Sequence, residues 1–414
     1  MNENEFDVIV VGAGPAGSTC ASFLAKNKVK VLLLDKAVFP RDKTCGDGIS
    51  GKSLRVLKEL GLNKTVGNLE HGKINGVTFS SPKGTVIDIP FPKDAKEKSG
   101  RDKSNEGYAI KRIFYDNFLF QNSKSFGAKT IEGFTVNSLI KDGEKVLGVK
   151  GTDSSGKEKE FKSKIVVGAD GAISVVSKSL GLNKIDFNHH ITALRTYYSG
   201  VKDLKGTIEI HFIDSMIPGY FWIFPVEEGI ANVGAGIITK DLKKNKMNLQ
   251  KAMFDAIESH PLFKERFKNA KMLSPVKGWT LPLGSKRKKI SGNGFLLVGD
   301  AASLIDPFSG EGIGNAMTSG KIASETILKA LKENNFSENF LKEYEEILWK
   351  EIGSELKTSY MLQRLGKIRF LLNFLVDKAA KKKEIQEVIS GMLANEEAKK
   401  EFVSPLFYLK LLFT

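Results

Sequence analysis

Apolar positions along this chain follow two different spacings, and the places where the spacing changes mark its elements. Residues 6–11, FDVIVV, form a short β-branched run that predicts a buried strand. The turn GAGPAG at 12–17 ends it, and residues 18–26 then take a helical spacing. A second apolar run, VKVLLLD, finishes at Asp35. Beyond Gly61 the spacing drops to two: INGVTFSSPKGTVIDIP, at 74–90, alternates between turn residues and predicts β structure. A polar run at 93–106 predicts a mobile loop, and the stretch 109–129 is amphipathic.

Residues 134–171 read as two consecutive hairpins, turning near Asp142-Gly143 and at 154–157, that lead into the apolar strand 165–167 and then GADG. Alternating strands return over 190–283 and carry PGYFWIFP. After them come the buried strand of GFLLVGDAA, a loop, and a glycine-started helix; from 337 onward the pattern is helical. These segments predict an α/β fold with a β-rich domain. A Rossmann-like dinucleotide-binding domain would be built from 1–70, 106–185 and 284–336. An interleaved antiparallel-sheet substrate domain would take 71–105 and 186–283, and a C-terminal helical region would run over 337–414.

Composition narrows the functional classes. At 414 residues the chain suits two or three domains. Its two cysteines, Cys20 and Cys45, make no disulfide framework, and its five histidines show no zinc-like spacing, so a reducing compartment without a structural metal is expected. The apolar run near the N-terminus has no basic residues before it and is cut by glycines, unlike a signal peptide. No uncharged apolar stretch reaches the roughly 18 residues of a membrane span. These features predict a cytoplasmic protein that touches membranes at most peripherally. The net charge of +15 comes from lysines spread along the chain. The densest runs, at 284–290 and 378–384, lack interleaved aromatics for base stacking, so no nucleic acid partner is expected.

The strongest chemical signal is GAGPAG between a strand and a helix. Gly12 permits the tight turn, Gly14 lets a pyrophosphate approach the backbone, Gly17 lets helix and strand pack, and Pro15 and Ala16 open the helix whose amides face phosphate. Asp35, 23 residues beyond Gly12, stands where an acid accepts hydrogen bonds from ribose hydroxyls, with Lys36 beside it. This is a dinucleotide site that does not by itself distinguish NAD from FAD.

Taken in order, GAGPAG, GADGAIS (168–174) and GFLLVGDAA (294–302) resemble the FAD-binding fold of the p-hydroxybenzoate hydroxylase type. The resemblance covers most of the chain and implies FAD as cofactor. It implies that Asp170 and Gly299 shape the cofactor loops and that Asp300 takes the hydroxyls of the ribityl chain. Gly310, Gly312 and Ile313 would bring a helix start toward the flavin, and Arg112 would reach the phosphates. Within that fold, DKAVFPRDKTCGDG, PGYFWIFP with ANVGAG, and DPFSGEGI resemble the geranylgeranyl reductase family, which reduces isoprenoid double bonds. Its YxWxFP pattern appears as Tyr220, Trp222, Phe224 and Pro225. Alternation puts Tyr220, Trp222 and Phe224 on one face, either a plain core face or a wall for a long hydrocarbon; the resemblance implies the wall. The loop carrying Arg41, Cys45 and Gly46 is implied to reach the flavin.

The expected activity is therefore FAD-dependent saturation of a prenyl lipid or prenyl diphosphate by a monomeric enzyme. The acid that protonates the alkene would be Cys45, a bound water or a group on the substrate, while Cys20 is expected to serve packing. Hydroxylases of this fold carry an arginine three residues after the serine of DGxxS. Ser177 stands there instead, which leaves NAD(P)H and ferredoxin both open as electron donor. A flavin monooxygenase or halogenase is the alternative, although Tyr220 and Phe224 depart from the halogenase pattern WxWxIP. A non-catalytic flavin protein that binds membrane or RNA is a second.

Overall fold

The computed structural model describes residues 4–91 and 107–394. The loop expected at 93–106 and the apolar stretch SPLFYLKLLFT at 404–414 lie outside the described residues.

Five strands form the parallel heart of the first sheet, in the order Phe295–Leu297, Glu158–Gly168, Glu5–Val11, Val31–Leu34 and Lys129–Ile131. Their side chains are apolar on both faces because helices cover both, as a parallel sheet requires; Val8, Ile9, Val10 and Leu32 are fully buried. Register matters more than strand number. Val11 pairs with Gly168 and with Leu34, and Gly168 pairs with Leu297, so the carboxyl ends of four strands stop level with one another. GAGPAG, Asp35, GADG and GDAA therefore leave the sheet side by side, at the crevice where open α/β sheets take ligands. The two hairpins form as the turn residues predict, with Gly143 and Gly156 at positive φ.

The second sheet orders its strands Lys271–Met272, His190–Ser199, Ile230–Ile238, Tyr220–Glu227, Thr207–His211, Gly76–Ser80 and Val86–Pro90, with Lys277–Pro282 also pairing with His190–Ser199. The segments 76–90 and 190–282, far apart in the chain, thus share one sheet. One face of Tyr220–Glu227 turns Phe221 and Ile223 into a core with Met253 and Phe263. The other carries Tyr220, Trp222 and Phe224. A small sheet of Gly48–Ile49, Gly107–Ala109 and Gly72–Ile74 packs beside Tyr220–Glu227 of the second.

The C-terminal helices hold both sheets. In Glu343–Leu365 the four-residue spacing of Tyr344, Leu348, Ile352 and Leu356 is a buried stripe against the first core. Helix Arg369–Lys381 lays Leu375, Val376 and Ala379 on Ile87 and Ile89 of the second sheet. Its apolar positions are thus mostly occupied by packing, with Phe370 left 75% exposed. No helix among the described residues is long and apolar enough to cross a membrane.

Candidate active site

The glycines of the first turn have separate tasks. Gly12 sits at φ +100, and a Cβ there would lie 2.4 Å from the Ala169 carbonyl oxygen; one on Gly17 would lie 1.8 Å from the Gly12 oxygen. Both are needed to interlock the protein's own backbone. Gly14 is different: its φ of −70 suits any residue, and a Cβ would meet only Arg41 Nη2, at 3.6 Å. The protein leaves that surface free and puts a cation beside it. Helix Pro15–Lys26, with Ala16 buried in its first turn, starts there without a side-chain cap. Asp35 Oδ2 accepts from the Ala13 amide at 2.7 Å and Oδ1 from the Ala37 amide at 2.8 Å, which fixes the carboxylate while sparing lone pairs for a ribose. Gly14→Ala is accordingly expected to leave the melting temperature of the FAD-free protein almost unchanged while weakening FAD binding roughly tenfold or more, through crowding at the pyrophosphate alone. Flavin fluorescence titration beside a thermal melt checks it.

A buried carboxylate organises the phosphate-side cations. Asp116 accepts from Arg112 Nε at 2.5 Å and Nη2 at 2.7 Å, and from Arg41 Nη1 at 2.6 Å. Burial pushes the Asp116 pKa up, but the Arg112 and Arg41 guanidinium groups outweigh burial and hold it below the ordinary carboxylate value. Arg41 also lies over the Phe39 ring, 5.0 Å from its centroid. One anchor thus holds two arginines, Arg41 beside the Gly14 surface and Arg112 beside Cys45.

At the flavin end, Gly299 at φ +59 fits between Ala16 and Ala316, the beginnings of two helices. Asp300 follows, and among the described residues no protein donor reaches its carboxylate. Burial raises its pKa, opposed by Lys43 and Arg112. Gly312 lies against Asp300 and opens helix Ile313–Lys332, whose Gly314 amide donates to Glu311 Oε1 at 2.6 Å. The free glycine surface, the uncapped start of helix Pro15–Lys26, the paired arginines and the unengaged Asp300 fit a flavin dinucleotide.

The aromatic face closes the site from the second sheet. Tyr220 and Trp222 have ring centroids 6.1 Å apart, and Trp222 and Phe224 6.4 Å. Trp222 lies over Gly234, where a Cβ would come within 2.2 Å of its ring, so ANVGAG is the groove that seats the indole. Tyr220 donates to the Ser309 carbonyl at 3.2 Å and stands over Gly310. Phe224 packs on Gly46, where a Cβ would lie 3.0 Å from the ring. Cys45, half-buried, packs with the cluster containing Ile313 and Met317 and has Arg112, Lys43 and Tyr220 as electrostatic neighbours. Burial lowers the Lys43 pKa to about 8, although Asp300 opposes the shift. Cys20 is fully buried and its pKa is pushed up to about 12.

Two expected residues turn away from this space, and a third stands at the surface. Asp170 spends its carboxylate on Ser174 Oγ, at 2.5 Å, and on the amides of Val175 and Val176, which caps the helix Val175–Ser179. Lys36 is exposed. Pro225 lies on the opposite side of the strand pleat from Phe224, with its carbonyl against Gly72. Residues beyond the expected set enter instead: Asp116, Lys43, Asp47, Asn232 and Tyr197. Asp116 had a signal, four residues after Arg112 on one helix. Asn232 lies within ANVGAG and Asp47 within CGDG, but nothing local pairs them.

Residues 5–348 match the family model described as an FAD binding domain. The chain is 32% identical over 406 residues to a digeranylgeranylglycerophospholipid reductase of Methanococcus aeolicus, covering 96% of each chain. It is 31% identical over 364 residues to digeranylgeranylglycerophospholipid reductase 1 of Methanococcoides burtonii, covering 87% of this chain and 84% of that one. A geranylgeranyl bacteriochlorophyll reductase-like protein of Thermoplasma acidophilum superposes with a TM-score of 0.84 at 26% identity, over 99% of this chain and 98% of that one. A flavin-dependent brominase superposes with a TM-score of 0.77 at 22% identity, over 99% of this chain and 98% of that one, which shows a shared fold.

Proposed function

This chain belongs to the geranylgeranyl reductase family of FAD-dependent oxidoreductases, and we propose that it saturates isoprenoid double bonds of a prenylated lipid or prenyl diphosphate with hydride supplied by its reduced flavin. What carries this reading is the contact of Phe224 with Gly46, which joins an aromatic wall to the loop of the one half-buried thiol. A hydrocarbon chain offers nothing polar to grip, so its recognition needs extended apolar surface, and Tyr220, Trp222 and Phe224 supply it. An unactivated alkene offers no carbonyl to take up charge, so a proton has to be delivered, and Cys45 is the thiol placed at that wall.

The remaining roles follow from charge and geometry. Arg41 and Arg112, held by Asp116, bind the diphosphate; Asp35 takes the ribose and Asp300 the ribityl hydroxyls. The start of helix Ile313–Lys332 offers its positive end to charge on the reduced flavin. Electrons arrive from NAD(P)H or from a ferredoxin-type carrier. We place the enzyme in the cytoplasm as a monomer that touches the membrane peripherally, with the exposed Met361, Ile368 and Phe370 as the available apolar surface. The halogenase alternative has the shared fold behind it, while Tyr220 and Phe224 depart from that group's motif.

The test is anaerobic incubation of the dithionite-reduced protein with a panel of prenyl diphosphates and prenylated lipids, followed by absorbance and mass spectrometry. Flavin reoxidation with a gain of two hydrogens per bond is expected. Absence of both with every compound overturns the assignment, and oxygen uptake driven by an aromatic substrate moves it to a monooxygenase.

A further inference from the structure

Asp47 is entirely buried and adopts φ +70, a backbone region that a non-glycine residue occupies only when its surroundings demand it. The demand comes from its side chain. Asp47 Oδ2 accepts from Tyr197 Oη and from Asn232 Nδ2, each at 2.7 Å. Asn232 Nδ2 also donates to the Cys45 carbonyl at 2.7 Å, and its Oδ1 accepts from Trp222 Nε1 at 2.9 Å. One asparagine thus ties the indole of the wall to both ends of the Cys45–Asp47 turn. Among the described residues Asp47 Oδ1 has no partner, and the Arg195 guanidinium, whose Nε and Nη1 likewise find none there, balances its charge through space. A buried carboxylate kept at such cost beside these donors has a job that an apolar residue could not do.

We propose that Asp47 is a positioning residue: with Asn232 it registers the Cys45 loop against the Trp222 wall, so that a hydrocarbon lying on the wall meets the thiol at a fixed place. This deepens the reductase reading and rests on it for the substrate, although the network itself can be read out without one. Losing the network frees the loop while leaving the wall rings in position.

The test uses the FAD-loaded protein with no substrate. Alkylation by iodoacetamide, followed by peptide mass spectrometry, reports Cys45, because Cys20 is buried and serves as the internal control. Asp47→Ala, which removes two hydrogen bonds, and Trp222→Phe, which removes the indole N–H together with the pyrrole half of the ring and keeps a phenyl on the wall, are each expected to change the Cys45 alkylation rate about tenfold or more, the effect of at least one lost hydrogen bond. The double variant is expected to show less than the product of the two effects, because both act through Asn232. In turnover with a prenyl substrate, both raise KM and lower kcat while flavin content stays at the wild-type level. Unchanged alkylation in Trp222→Phe, or independent effects in the double variant, overturns the proposal even if Asp47→Ala does not fold. If alkylation responds as expected but no prenyl compound is reduced by the wild type, the network stands and the substrate assignment falls.

Discussion

Asp116→Ala is expected to yield a protein that purifies with little or no flavin and melts well below the wild type. The carboxylate is fully buried and takes three hydrogen bonds from two guanidinium groups, one of which, Arg112, is itself buried. Removing one partner of a buried pair leaves an uncompensated charge and costs about 3–5 kcal/mol. Arg112 cannot shed its proton to escape that cost, so it must leave its position or draw in water, and Arg41 loses the contact that aims it. Arg41→Gln is the graded control. Its side chain is 21% exposed, so it is expected to reduce FAD affinity with a smaller loss of stability. The pH dependence has a definite sign. The Asp116 pKa is held below its ordinary value, so its contribution to stability is fully present above the ordinary carboxylate range and is lost as pH falls through the lower, folded-state value. Flavin content and melting temperature measured between neutral pH and strong acid check both points. Wild-type flavin content in Asp116→Ala would remove the arginine pair from the cofactor site.

What could be read from the sequence is what local backbone geometry imposes. The strand ends, the glycine turn and the two hairpins are set by residues within a few positions of each other, and the register of parallel strands then aligns motifs 150 or so residues apart without further information. Period-two alternation was enough to place Tyr220, Trp222 and Phe224 together, and the same rule puts Pro225 on the other side, where the structure has it. Asp170 shows the limit. A carboxylate in a loop between a strand and a helix reads equally as a ligand contact or as a cap, and the distance to Ser174 and Val175 decides for the cap. The buried network could not be read at all. Asn232 and Asp47 lie 185 residues apart, one on a strand of the second sheet and the other in the loop before Gly48–Ile49, so neither carries a local mark of the other. Asp116 is intermediate: its spacing from Arg112 marks an ion pair, but such pairs are ordinarily on a helix surface, and only the arrival of Arg41 from 75 residues away makes it a buried anchor.

Cys45→Ser is expected to slow alkene saturation in a single turnover roughly a hundred- to ten-thousand-fold, the range for loss of a positioned acid, with flavin content and dithionite reduction unchanged. The argument is by acids available at the wall. Burial pushes Tyr220 up to about 12, too weak an acid for the task. Arg112 does not give up its proton. Lys43, lowered to about 8, is a rival among the described side chains, and the two assignments separate experimentally. If Cys45 delivers the proton, the thiolate left behind is stabilised by the neighbouring Lys43 and Arg112 cations. Lys43 loses its charge as pH rises through about 8, so the wild-type rate falls there. Lys43→Arg keeps the cation and is expected to move that fall to higher pH while preserving most of the rate. If Lys43 is itself the acid, Lys43→Arg abolishes turnover and Cys45→Ser spares it. Cys20→Ser, a change in the first core, leaves the rate alone in either case. Single-turnover reoxidation across pH for these variants decides the matter, and a Cys45→Ser protein that reduces the alkene at the wild-type rate returns Cys45 to packing.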